Sequence, residues 1–182
     1  MKNIIFDIHN TICYQKYAAE YFIDKSYQKL LTYSTERISY SLFREVWFDL
    51  DFEYQEETQK GYNSLSSKGC IGVETYLREI PYIEKFRTLL SRIYAGTNGY
   101  FPKIINDHFQ RHWIKGLTLF PFTLTVFEEL HQYNLGIVSN FRDAKWLNNW
   151  IQNHTLDVYF HDNIVISENE GYRKPNPILF SK

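Results

Sequence analysis

Asp7, Ser139 and Lys174 carry complementary chemistry and follow three short apolar runs of the 182-residue chain. Asp7 closes Ile4-Ile5-Phe6. Ser139 and Asn140 close Leu135-Gly136-Ile137-Val138. Lys174 lies in the turn Gly171–Pro177, after Asn163-Ile164-Val165-Ile166-Ser167. A carboxylate, a hydroxyl and a lysine that converge fit phosphoryl chemistry. The aspartate attacks phosphorus, and the hydroxyl and backbone N–H groups hold the phosphoryl oxygens. The lysine offsets charge on the nucleophile and the transition state. Backbone N–H groups of the Ile8–Thr11 turn could also face an anion. Taken singly, each residue has a plainer use, as a turn aspartate, a strand-end hydroxyl satisfying its own backbone, or a solvated lysine before a proline.

The elements around them decide whether they meet. Ile4-Ile5-Phe6-Asp7 reads as a buried strand delivering a carboxylate to its C-terminal end. From about Tyr14 to Trp113 no strand is expected. Helices are expected at Gln15–Leu31, from Ser34 or Thr35 towards Gln59, at Val73–Ile80, at Ile83–Ile93, and from Pro102 to about Trp113. Loops are expected at Gly61–Gly69 and Gly96–Gly99. The period then changes back. Leu124, Val126, Phe127, Leu130 and Tyr133 trace a helical face, and Leu135–Asn140 reads as a strand. Asp143 can cap a helix whose apolar face is Trp146, Leu147, Trp150 and Ile151. Asn163–Ser167 is a third strand, and Pro177 opens a last helical turn. The fold class is α/β, a Rossmann-like parallel sheet with right-handed crossovers and an inserted all-helical cap. The expected division is a core of 1–13 and 115–182 with a cap of 14–114. A parallel sheet brings its strand C-termini to one edge, so Asp7, Ser139 and Lys174 are expected at one site.

Composition excludes several classes. Hydrophobic residues make up 44% and charged residues 23%, with a net charge of −1, which describes a soluble globular chain. No basic block points to nucleic acid, and no apolar run is long enough to span a bilayer. The N-terminus lacks the apolar stretch of a signal peptide, and Cys13 and Cys70 form no metal or disulfide pattern, so a reduced cytoplasm is expected. His108 and His112 stand four apart on an expected helix, without the acidic residue of a catalytic metal motif.

Three segments together resemble the first motifs of the haloacid-dehalogenase-like hydrolase superfamily. They are Asp7-Ile8-His9-Asn10-Thr11, Gly136-Ile137-Val138-Ser139-Asn140-Phe141, and Tyr172-Arg173-Lys174-Pro175-Asn176-Pro177-Ile178-Leu179-Phe180. The helical insertion after the first segment resembles the branch with a C1-type cap. The resemblance implies a hydrolase, foremost a phosphatase acting on a small phosphorylated metabolite. Asp7 would be the nucleophile and a Mg²⁺ ligand, and the backbone carbonyl of His9 a second ligand. Thr11, Ser139 and the Asn140 N–H would bind the phosphoryl group, and Lys174 would hold Asp7. The cap would exclude water and choose the substrate.

The sequence departs from the family pattern in three places. His9 stands where phosphatases of the family have a second, proton-handling aspartate; an imidazole titrates in a range suited to that work. Asn10 replaces a glycine, and tolerates positive φ better than most residues. The acidic fourth motif, which completes the Mg²⁺ site beside the first strand, would lie past Lys182, so weak or absent Mg²⁺ binding is expected. The first strand then becomes an edge that a second copy or a partner chain could cover. Two further readings stay open, a catalytically inactive binding module and a dehalogenase-like hydrolase.

Overall fold

A computed structural model of the chain describes residues 2–68, 77–93 and 100–181. Strand β1 (Asn3–Phe6) leads into the Asp7 turn and then β2 (Cys13–Gln15). Four helices follow among the described residues, α1 (Ala19–Leu31), α2 (Tyr40–Lys68), α3 (Tyr82–Ile93) and α4 (Phe101–Gly116). The chain returns through β3 (Leu117–Leu119) and α5 (Thr123–Glu129) to β4 (Asn134–Ser139). Helices α6 (Ala144–Asn153) and α7 (Asp157–Phe160) precede β5 (Ile164–Ile166), α8 (Ser167–Glu170) and a 3₁₀ turn at Pro177–Phe180.

The main sheet has the order β1-β4-β5, with both pairings parallel. Its strands are short and mostly apolar, but β1, expected to be buried, is covered on one face only: Ile4 and Phe6 are part-buried, while Asn3 and Ile5 are exposed. Ile8, Ile12, Phe127, Ile137, Leu147, Trp150, Phe160 and Ile166 form one buried cluster around it. A second cluster lies within the helical insertion, built from Phe22, Ile23, Phe43, Trp47, Phe86, Leu89 and Phe109. Burial of these large side chains is the main favourable term for both units. Trp113 packs against both clusters. Among the described residues β1 has one neighbour, β4, and its Ile5 is 54% exposed. No helix among the described residues is long and apolar enough to cross a membrane.

Several local expectations are corrected. Strands β2 and β3 pair antiparallel where no strand was expected before Trp113. Three residues are too few to show a period. The ribbon forms because these segments are the two crossings between the cores, and Lys16 N–H extends it to Gly116 O at 2.9 Å. Helix α2 runs through Gly61 to Lys68 instead of breaking into a loop. An interior glycine costs about 1 kcal/mol against alanine, but a Cβ at Gly61 would meet Leu77 at 3.0–3.2 Å. Close packing of Leu77 therefore explains the glycine. Leu77–Ile80 is not helical; Arg78 bridges to Tyr172 in a strand-like pair. The rest of the Val73–Ile80 helix and the Gly96–Gly99 loop lie outside the described residues. Leu124, expected on the buried face of α5, is 41% exposed, and the helix ends at Glu129.

Candidate active site

The Asp7 turn is tight because one carbonyl collects three donors. Ile8 O accepts from the N–H groups of Thr11, Ile12 and Cys13 at 3.3, 3.0 and 3.2 Å. Asn10 takes the left-handed conformation this requires, with φ 61°, and asparagine is the residue after glycine that pays least for it. The N–H groups of Ile8, Asn10 and Thr11 are committed within the turn, that of Ile8 to Asp7 Oδ1 at 2.8 Å. For these three groups the structure corrects the expectation that the Ile8–Thr11 turn faces an anion.

Three chain segments meet at Asp7. Lys174 Nζ lies 2.8 Å from Asp7 Oδ1, with the carboxylate side chain 42% exposed and the lysine 22%. The same ammonium donates to Val138 O at 2.9 Å, and Lys174 N–H donates to Asn140 Oδ1 at 2.7 Å. The C-terminal end of β4 thus grips Lys174 at both backbone and head group, which aims it at the end of β1. Ser139 is the last residue of β4 and only 2% exposed. Thr11 is exposed on the turn. His9 is exposed and stacks on Trp113 of α4, ring centroids 6.3 Å apart and inclined at 28°.

Beside this cluster a cleft of about 290 Å³ separates the sheet edge from the helical insertion. Ile8, His9, Asn140, Arg142 and Arg173 line one side, and Asp51, Tyr82 and Trp113 the other. Asp7, Ser139 and Lys174 do not line it themselves; their sequence neighbours do. The structure therefore brings Asp7, Asn140 and Lys174 into one hydrogen-bonded cluster, puts His9 at the cleft, and leaves Thr11 outside its walls.

The cleft also holds residues that sequence reading missed. Asp51 Oδ1 pairs with Lys85 Nζ at 2.5 Å; the lysine side chain has no exposure and the aspartate 35%. Lys85 Nζ sits 3.7 Å from the Trp47 ring centroid. Burial pulls the ammonium down to about 8, against the opposing pull of Asp51. Behind the arginines of the other wall, Glu79 is 3% exposed and stands between Arg142 Nε at 3.6 Å and Arg173 Nε at 3.8 Å. It also accepts from the Ser167 hydroxyl. The guanidinium of Arg142 lies over Tyr54 and Tyr82, 5.1 and 5.3 Å from the ring centroids. Arg173 adjoins Lys174 and Arg142 follows Asn140 by two, so proximity to the motifs was an available signal. Asp51, Glu79 and Tyr82 carried none, since tertiary packing alone brings them in.

Two other candidate chemistries lose ground. Burial, with Asp7 nearby, pushes the Cys13 thiol up to about 12, so it is not a thiolate nucleophile at neutral pH. The His108 and His112 rings are 4.6 Å apart, and burial and neighbouring cations pull both imidazoles below their ordinary range, His108 to about 4. Among the described residues no three His, Cys, Asp or Glu side chains gather into a cation-holding group, here or at Asp7. At Asp7 the side-chain donor among the described residues is one carboxylate, already shared with Lys174, to which the family resemblance adds the His9 carbonyl. That set does not by itself fit the near-octahedral oxygen shell of Mg²⁺.

No family model matches the sequence, and no curated protein matches it. Solved structures do match the fold. A candidate β-phosphoglucomutase from Thermotoga maritima aligns over 99% of this chain and 68% of its own, at 14% identity and TM-score 0.56. A 2-haloacid dehalogenase from Pseudomonas syringae aligns over 99% and 70%, at 18% identity and TM-score 0.53. A haloacid-dehalogenase family enzyme from Bacteroides thetaiotaomicron, solved with magnesium and inorganic phosphate, aligns over 99% and 75%, at 16% identity and TM-score 0.53. At such identities what is shared is the fold.

Proposed function

We propose that this chain, which has the haloacid-dehalogenase-like fold, hydrolyses a small phosphorylated metabolite through an aspartyl-phosphate at Asp7. The observation that carries the reading is the 2.8 Å contact between Lys174 Nζ and Asp7 Oδ1, held by Val138 O. It leaves the other carboxylate oxygen of a part-exposed aspartate as the attacking atom. That oxygen forms a bond to phosphorus while the bond to the leaving oxygen breaks. His9, at the cleft, gives the leaving oxygen a proton. A water then attacks phosphorus, His9 takes its proton, and inorganic phosphate leaves with the carboxylate regenerated. Lys174 offsets charge as the phosphoryl group arrives, and Ser139 with the Asn140 N–H holds its oxygens. Mg²⁺ would add charge stabilisation at the phosphoryl oxygens, but the donors at Asp7 fall short of its shell and the chemistry rests on Asp7, His9 and Lys174.

Turnover of p-nitrophenyl phosphate, measured with and without millimolar Mg²⁺, tests the reading. Turnover that Asp7→Asn abolishes supports it. No turnover in either condition sinks it. The thin donor set favours a second reading, a binding module that has lost its chemistry; under it Asp7→Asn leaves function unchanged. Chloride release from a 2-haloacid would instead favour dehalogenase-like chemistry.

A further inference from the structure

A second cavity, of about 230 Å³, lies between α2 and the Leu77–Ile80 segment, and Arg142 and Arg173 line both it and the cleft beside Asp7. Its other charged walls are Lys60, Arg78 and Glu57. Among the described residues four cations thus face one wall carboxylate, in a protein whose net charge is −1. The buried carboxylate of Glu79 is shared between the two arginines, which among the described residues still leaves two positive charges unmatched. Among the described residues no ion pair engages Lys60 or Arg78. The Arg173 Nε is buried and makes no hydrogen bond, and its contact with Glu79, at 3.8 Å, is too long to be one. Gathering like charges in a concave site opposes folding unless a counter-ion fills it, and guanidinium groups are shaped for oxyanions.

We propose that this cavity binds a second anionic group of the substrate, a phosphate or carboxylate carried on the leaving-group side. The preferred substrates are therefore phosphate monoesters with a second anion. Arg142 and Arg173 form the shared wall between the reacting phosphoryl group and this distal anion. The proposal rests on the phosphatase reading for which end reacts. The cavity itself is tested by binding alone.

The probes are butylphosphonate and the α,ω-alkane bisphosphonates with three to six carbons. These do not hydrolyse, so calorimetric titration reads affinity without turnover. At least one bisphosphonate should bind about tenfold tighter than the monophosphonate, the gain expected of one added charge-assisted contact set. In the Lys60→Ala/Arg78→Ala double variant, its fold confirmed by a cooperative melting transition no lower than that of wild type, the ratio should fall to about one. An equal affinity of mono- and bisphosphonates overturns the proposal. So does failure of every bisphosphonate to bind, or a ratio that survives loss of both cations. If the double variant does not fold, charge-reversed Arg78→Glu takes its place, with the same ratio as readout. Turnover of p-nitrophenyl phosphate, which has no second anion, decides the phosphatase reading separately.

Discussion

Replacing Lys85 by methionine pits two buried-charge effects against each other. The ammonium has no exposure, and burial lowers it from 10.5 to about 8 even with Asp51 beside it. That gap corresponds to about 3 kcal/mol by which the native state disfavours the charged lysine. Removing one partner of a buried pair usually destabilises, because the other charge is stranded. Asp51, however, is 35% exposed and can turn to water in the cleft. Methionine fills a similar volume and keeps a favourable contact with Trp47 in place of the cation–π contact, which is worth about 1–2 kcal/mol. The expected balance is a variant more stable than wild type by about 1–2 kcal/mol at pH 7, a rise in Tm of several degrees for a chain of this size. The sign of the pH dependence is also set. Below pH 8 both states carry the charge and the penalty is full. Between about 8 and 10.5 the native state sheds its proton first, the unfolded state binds more protons, and wild-type stability climbs. The variant has no such climb, so its advantage shrinks over that range. Urea denaturation of both proteins from pH 7 to 10 measures it as a difference, in which other groups such as Cys13 cancel. A Lys85→Met protein less stable than wild type at pH 7, or an advantage constant with pH, would refute the reasoning.

Lys174→Met should lower kcat on p-nitrophenyl phosphate by about 100-fold or more while shifting stability by under about 1 kcal/mol, since the Asp7 pair is part-exposed; steady-state kinetics and a melting curve check both. Asn10→Ala should destabilise by about 1 kcal/mol, as alanine pays more for φ 61°, whereas Asn10→Gly should not; chemical denaturation separates them. His108→Gln should flatten the acid side of the stability curve. The native imidazole stays neutral to about 4 while the unfolded one protonates near 6.5, so wild type loses stability as pH falls through that window. After allowance for screening at a part-exposed site the expected loss by pH 5 is about 1 kcal/mol, and equal slopes for the two proteins would count against it.

Local sequence determined the parts of the site that sit at strand ends. Short apolar runs closing on Asp7 and Ser139, and the turn holding Lys174, are legible because a parallel strand of an α/β sheet has an apolar composition, whether covered on both faces like most of β4 or on one like β1, and its carboxyl end one direction. The α-helices of the insertion were legible where an apolar face recurs, as in α3 and α4. Short pieces were not. The β2–β3 ribbon has no period to read, and Gly61 reads as a breaker until Leu77 is seen packed against it. What only the tertiary structure decided is what surrounds Asp7. Asp51 enters from α2 with its buried Lys85, Glu79 sits between Arg142 and Arg173, and His9 lies on Trp113. Each is a contact between residues 34 to 104 positions apart, and no local rule of spacing encodes them. The sequence therefore determined which atoms could react, while packing between the sheet edge and the helical insertion decided the charge and shape of the space in front of them.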